Sequence, residues 1–352
     1  MVSASSQKKT LKPILWMSFG PIGDTMMMVA FFDDILRVRP DATFTVLTSR
    51  NAAVIRDLCR AYPSITVVEI PSRLAAVPAF LFNIFRKRWI VLMPGVAHYY
   101  STQLKIFFLV LYCFPWITSI GFGDIRKRFG WLPFHTVLHF DLSRTVLQNY
   151  RRMAPYFLGT PIPPEQLLTA KLALKAPANF SLKKGAYVVI HMFGNKRRLS
   201  FPDRRWRALT IELTKRYPNY QFVFTGAPKD APAMEIITKD IPRTTMLVDL
   251  PILEVASIID SAALYIGVDT GITHLAGVMK KKSVLVENNS NPLWWPSYNP
   301  NATILVNNKR CICKGDKTDQ CRVLDEDGTN YYRCTYDITD QAVLDAVAAV
   351  LK

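Results

Sequence analysis

The chain has 352 residues, more than one ordinary domain and comfortable for two of about 150 to 200 each. Half of the residues are hydrophobic and 20% are charged, which supports a large core and excludes global disorder. With 15 Gly and 23 Pro it is neither collagen-like nor of low complexity, and no run of 18 uncharged apolar residues spells an obligate transmembrane helix. The net charge of +17 is uneven: residues 1–176 hold 21 Lys and Arg against 9 Asp and Glu, the rest 23 against 18. A basic N-terminal half suits a polyanionic partner. No zinc-finger or RNP-like motif accompanies the charge, so nucleic acid is not expected.

Lys8, Lys9 and Lys12 precede an apolar stretch, as in a signal peptide, but Ser18, Gly20, Gly23 and Asp24 interrupt it. Asp33-Asp34 follows without a small-residue cleavage site, so no secretory leader is expected and residues 1 to about 10 read as a disordered tail. Residues 14–19 are a short apolar run ending at Gly20, and 25–38 carries Met28, Phe31, Phe32, Ile35 and Val38 at helical spacing. That predicts strand, Gly-containing turn, helix. A strand over 43–47, a helix over 51–62 and a strand over 65–70 follow; 89–93, 103–114 and 118–121 repeat the alternation. After 150–158 the sequence Gly159-Thr160-Pro161-Ile162-Pro163-Pro164 reads as a break, with a linker between there and Lys184. Strands over 186–191, 221–225, 263–267 and 283–286 then alternate with helices over 203–217, 231–239, 252–261 and 274–280. A last helix over 342–351 is capped by Thr339 or Asp340. This pattern predicts two successive α/β domains, 1–177 and 178–352, with parallel sheets and a cleft between them. Ligands in such sheets bind beyond the carboxyl ends of the strands.

The clusters Arg86-Lys87-Arg88-Trp89 and Arg126-Lys127-Arg128-Phe129-Gly130-Trp131 flank the apolar residues 106–116. Basic and bulky aromatic side chains beside an apolar surface suit an anionic lipid headgroup layer. Residues 103–114 equally read as a buried helix with solvated flanks, and the two readings are compatible.

Two turns carry candidate chemistry. In Phe19-Gly20-Pro21-Ile22-Gly23-Asp24-Thr25 the glycines let backbone approach a ligand, and the helix start favours an anion. Met26 stands where the dinucleotide fingerprint requires a third glycine, so it is not that motif. Asp24 reads either as a helix cap or as a general base. The second turn, Ile266-Gly267-Val268-Asp269-Thr270-Gly271-Ile272-Thr273-His274-Leu275-Ala276, offers backbone N–H groups from Thr270 to His274, a hydroxyl and an imidazole where a diphosphate can lie. Taken alone, His274 serves as well in a core or capping role.

The first turn, Val188-Val189-Ile190-His191 leading to Lys196-Arg197-Arg198 and Phe201-Pro202-Asp203-Arg204-Arg205-Trp206, Val223-Phe224-Thr225-Gly226-Ala227-Pro228, and the Asp269–Ala276 run together resemble glycosyltransferase family 9. Its best-known members are ADP-heptose:lipopolysaccharide heptosyltransferases. The resemblance spans residues 14 to about 345 and implies the GT-B fold, two Rossmann-like domains with parallel sheets facing across a cleft. It further implies acceptor on the N-terminal side, nucleotide-sugar on the C-terminal side, and inverting transfer that requires no metal or other cofactor. Asp24 matches the catalytic aspartate. Lys196, or a neighbouring basic residue such as Arg198, together with the helix opening near Thr270, would hold the departing ADP. Gly23, Thr225, Gly226, Gly271, Asp269, Thr270 and His274 would contact or orient the ADP-sugar. The implied acceptor is the phosphorylated inner core of lipopolysaccharide, met at the cytoplasmic side of the inner membrane by a peripherally bound enzyme. Phe201 stands where the family usually has Trp, and Ala227 where a second Gly is commoner.

Cys59 and Cys113 lie in apolar contexts and read as core. Cys311, Cys313, Cys321 and Cys334 lie within 24 residues of charged, loop-like sequence. Four thiolates suit a structural Zn or Fe, although Cys311 and Cys313 are only one residue apart; reduced, unliganded cysteines are the other reading. Some members of the resembled family carry a similar segment, among them enzymes that hold iron there and glycosylate autotransporter proteins.

Overall fold

The computed structural model describes residues 11–18, 22–49, 51–70, 87–96, 115–123, 135–141, 143–163, 170–178, 180–194, 199–287, 298–307, 322–326 and 328–351. By density of contacts the chain forms two compact units: Met1–Gly20 with Met28–Leu167, and Pro21–Met27 with Leu168–Lys352.

The first unit is built on β1 (Ile14–Ser18), β2 (Phe44–Thr48), β3 (Ile65–Glu69), β4 (Ile90–Val96), β5 (Thr118–Gly123) and β6 (Thr136–His139). They lie in the order β3-β2-β1-β4-β5-β6, every neighbouring pair parallel. Helix α1 (Ile22–Val38) is buried continuously from Thr25 to Ile35, so it is an interior helix with no solvent stripe. Trp16 of β1 packs edge-on against Phe32 and Tyr150, with ring centroids 5.3 Å apart in both pairs. Two acids inside this apolar helix are paired: Asp34 with Arg151 at 2.8 Å, and Asp33 with Arg37 at 2.6 Å. Asp33 also accepts a hydrogen bond from Tyr62 Oη. Helix α2 (Ala52–Cys59) ends earlier than its sequence suggested, and Cys59 is buried, its thiol pushed up to about 12 by desolvation. Two short helices, α3 (Val146–Arg151) and α4 (Pro155–Leu158), close the unit, α3 opening with a Thr145–Gln148 capping box.

One membrane expectation is corrected here. Trp89 is 4% exposed and enters the core beside β4, so it offers no surface to lipid, whereas Lys87 and Arg88 beside it are exposed. Arg86, residues 126–131, the helix expected over 103–114, and Cys113 lie outside the described residues.

The second unit repeats the plan. Strands β7 (Tyr187–His191), β8 (Gln221–Gly226), β9 (Thr244–Val248), β10 (Leu264–Val268), β11 (Ser283–Val286) and β12 (Ala302–Leu305) pair in parallel in the order β12-β11-β10-β7-β8-β9. Helices α5 (Asp203–Arg216), α6 (Ala231–Thr238), α7 (Ile252–Ser261) and α8 (Gly271–Val278) connect them. A hairpin of β13 (Arg322–Leu324) and β14 (Asn330–Tyr332) leads through α9 (Arg333–Tyr336) to α10 (Asp340–Val350), which Thr339 caps. Arg204 and Arg205 of the Phe201–Trp206 run tie this C-terminal part to α5. Arg204 pairs with buried Asp325 at 2.6 Å; Arg205 pairs with Asp340 at 2.5 Å and lies 4.1 Å over the Phe201 ring. Phe201 fills the position usually given to Trp by packing on Trp206, whose indole N–H donates to Ser200 Oγ at 2.8 Å.

Candidate active site

In each sheet the strand order reverses once, beside β1 in the first and between β7 and β10 in the second. At such a reversal neighbouring crossovers leave in opposite directions and open a crevice at the carboxyl edge. The described floor of that crevice in the second unit is narrow: a Cβ on Gly194, just past β7, would lie 3.0 Å from Thr270 Cγ2 and 3.4 Å from the Asp269 carbonyl oxygen.

From β10 the chain turns through Asp269 and Thr270 into α8. Thr270 is the N-cap, with extended backbone, and its hydroxyl accepts from the Thr273 N–H at 3.3 Å. Its carbonyl also accepts from the N–H groups of Thr273 and His274, so those two expected donors are used within the helix. Gly271 and Ile272, the first two helical residues, present the amides that the cap geometry leaves to an incoming anion. His274 Nδ1 lies 3.2 Å from Tyr298 Oη, and the two rings are nearly parallel. Burial disfavours the imidazolium and outweighs the opposing charge of Asp269, lowering the His274 pKa.

The start of α1, Ile22 to Met27, groups with this unit. A Cβ on Gly23 would stand 2.8 Å from His274 Cδ2, and one on Gly271 would stand 2.9 Å from Ile22 Cβ and 3.1 Å from the Gly23 nitrogen. Both glycines are required by this close approach of two helix starts. Asp24 is the third residue of α1, inside the helix rather than at the preceding cap position. It is open to solvent, yet the protein around the turn disfavours its charged form and raises its pKa from 3.8 to about 6. Among the described residues no hydrogen bond or ion pair engages its carboxylate.

Other expected positions take local roles. The Thr225 hydroxyl is buried and lies 3.0 Å from His191 Nδ1; burial holds that imidazole neutral, its pKa down at about 4. Gly226 makes room for α6, because a Cβ there would meet Met234 Sδ at 2.6 Å. Ala227 has φ −82° and needs no glycine; its N–H donates to Asp230 Oδ2 at 3.1 Å. Lys196 and Arg198 lie outside the described residues, as do Cys311, Cys313 and Cys321. Cys334 is buried on α9. Among the described residues no group of three or more His, Cys, Asp or Glu could hold a metal ion. Sequence reasoning passed over Lys229, whose ammonium reaches the Gly194 carbonyl at 3.4 Å, and Tyr298 beside His274.

The family pattern of glycosyltransferase family 9 (heptosyltransferase) matches residues 103–324, more than half of the sequence. The chain belongs to that family. It is a glycosyltransferase with the GT-B fold. No protein of curated function matches it in sequence. Its fold is similar to E. coli heptosyltransferase WaaC with ADP-2-deoxy-2-fluoro heptose, at 15% identity over 96% of this chain and 99% of that one, TM-score 0.66. It is similar also to E. coli ADP-heptose lps heptosyltransferase II, at 18% identity over 96% and 98%, TM-score 0.68. A third structure, the dodecameric iron-containing heptosyltransferase TibC of E. coli in complex with ADP-D-beta-D-heptose, is 15% identical over 97% and 76%, TM-score 0.58.

Proposed function

We propose that this family 9 enzyme moves a heptose from ADP-heptose to the inner core of lipopolysaccharide, with inversion. The observation that supports the reading is the close approach of the starts of α1 and α8, where a Cβ on Gly23, the residue before Asp24, would stand 2.8 Å from the His274 ring. Inverting transfer is one displacement at the anomeric carbon. A base takes the acceptor hydroxyl proton as the new glycosidic bond forms, and the bond to ADP breaks with its electrons going to the diphosphate. Asp24 is the proposed base, since a pKa near 6 leaves it ionised at neutral pH and still matched to proton transfer. The amides of Gly271 and Ile272, with Lys196 or Arg198, stabilise the departing diphosphate, while Asp269 and His274 orient the donor. Residues 1–177 take the acceptor side and 178–352 the donor side. Two of the similar structures carry ADP-heptose or its fluoro analogue, which supports the choice of donor. The basic first half suits phosphorylated acceptor and the anionic cytoplasmic face of the inner membrane; among the described residues no helix is long and apolar enough to cross it. The test is a thermal-shift comparison of ADP, UDP, GDP and CMP. ADP alone should raise the melting temperature strongly, and stabilisation by another nucleotide instead would overturn the donor assignment.

A second reading keeps the chemistry and changes the acceptor to a protein. It is favoured by the cysteine segment and by the likeness to iron-containing TibC. Cys311, Cys313, Cys321 and Cys334 would then hold one structural Zn or Fe, the donor set being chemically suited to either. Elemental analysis of protein kept from chelators and nickel resin should find about one metal per chain. A metal-free protein whose Cys321→Ser variant melts like the wild type would remove this support.

A further inference from the structure

Glu287 has no part in the chemistry above. It follows β11 directly, its N–H donating to the Leu305 carbonyl at 2.9 Å, and it is 1% exposed. Among the described residues, neither carboxyl oxygen has a hydrogen-bond partner. An ionised carboxylate in such surroundings is penalised far beyond what ordinary contacts return, so the group is held protonated. The β10–β11 register pairs Val268 with Val286, and continuing it by one residue brings Asp269 and Glu287 side by side at the carboxyl edge. Among the described residues, the charged and titratable groups around Glu287 are Asp269 and Tyr265 from β10 and its turn, Tyr298, and, through the Tyr298 hydroxyl, His274 of α8. Burial and the charge of Asp269 both act to keep its proton on. Buried polar groups without partners are rare in native structures and call for an explanation.

We propose that Glu287 is a positioning residue of the donor site: its un-ionised carboxyl keeps a second negative charge away from Asp269 and the anion-binding end of α8, and its ionisation loosens the donor diphosphate. The inference rests on the reading of this edge as an ADP-sugar site. Glu287 lies too deep to touch the donor and acts through Asp269 and the helix end, so its effect belongs to binding rather than to the chemical step. A proton leaves Glu287 for solvent, the buried charge appears beside Asp269, and the field at the Gly271 and Ile272 amides becomes less favourable to an anion.

Donor KM and kcat should be measured from neutral to alkaline pH in the wild type and in Glu287→Gln, a neutral substitution of nearly the same shape. In the wild type the alkaline-to-neutral ratio of donor KM should reach about 5- to 100-fold, the usual span of coupling between sites, while kcat changes little. In Glu287→Gln that ratio should stay near one. An equal alkaline rise in the variant, or none in the wild type, overturns the proposal. A second measurement needs no substrate: the infrared spectrum of the wild type should contain a protonated-carboxyl carbonyl band at neutral pH that Glu287→Gln lacks. Absence of that band also overturns it. If ADP fails to stabilise the protein while the band is present, the donor reading has failed and the protonation of Glu287 has not.

Discussion

Asp24 shows how much one residue's surroundings decide. Replacing it by Asn should keep the fold and ADP binding while lowering turnover by about 10²-fold or more, as expected for loss of a general base. Its raised pKa gives the sign of the pH dependence: the base works deprotonated, so the rate should fall as pH drops through about 6. The residual rate of Asp24→Asn should lack that acid limb; near-normal turnover in the folded variant would remove Asp24 from the chemistry. The sequence marked Asp24 by its place after a Gly-containing turn but left cap and base open, because the helix start depends on where Ile22 packs. Glu287 left no such mark. A carboxylate ending the apolar run Ser283–Val286 reads as the first solvated residue after a strand, and its burial comes from partners distant in sequence. Thr225 and Gly226 show a further ambiguity, since a turn glycine that makes room for a ligand and one that makes room for Met234 look alike in a string of letters.

The two helix starts that meet at Gly23 and Gly271 form a joint with no room for a methyl group. Gly23→Ala gains helix propensity worth about 1 kcal/mol but pushes a Cβ to 2.8 Å from the His274 ring. Overpacking of this kind costs about 1–3 kcal/mol, so the variant should melt lower and transfer more slowly, as calorimetry and an activity assay would show. Wild-type melting and activity would mean the imidazole is not held by that contact. Arg205→Ala tests the other joint. Its guanidinium bonds Asp340 and the carbonyls of Tyr336 and Ile338, so its loss should cost about 1.5–3 kcal/mol and speed hydrogen exchange in α9 and α10. Exchange unchanged there would assign the anchoring to Arg204. The strands of the two large sheets that sequence reading missed, β6, β9 and β12, are all edge strands. Buried on fewer sides, they lack the continuous apolar run that marks β1, β7 and β10, and their pairing is set by neighbours instead. The central strands were legible because burial on both faces forces them to be apolar throughout.

For the molecule as a whole, charge is the property the fold leaves free. Vesicles containing anionic lipid should bind the protein and release it as salt rises, with each basic residue at the surface contributing about 1 kcal/mol. Reversing Lys87 and Arg88, both exposed, should weaken that binding without changing the melting temperature. Trp89→Ala should do the opposite, losing about 3–5 kcal/mol of stability from the core. Equal binding to neutral and anionic vesicles would remove electrostatics from the account. The strand order of the second sheet also has a consequence for synthesis. Strand β7 is central, yet one of its two edges waits for β10, about 70 residues later in the chain. At about 5–20 residues per second, the ribosome leaves that edge of Tyr187–His191 without its partner for roughly 4–14 seconds. A bare, apolar, parallel strand edge is the surface on which nascent chains stick to one another. Cells making this protein quickly would therefore meet aggregation during translation, at chain lengths between β7 and β10, rather than after release.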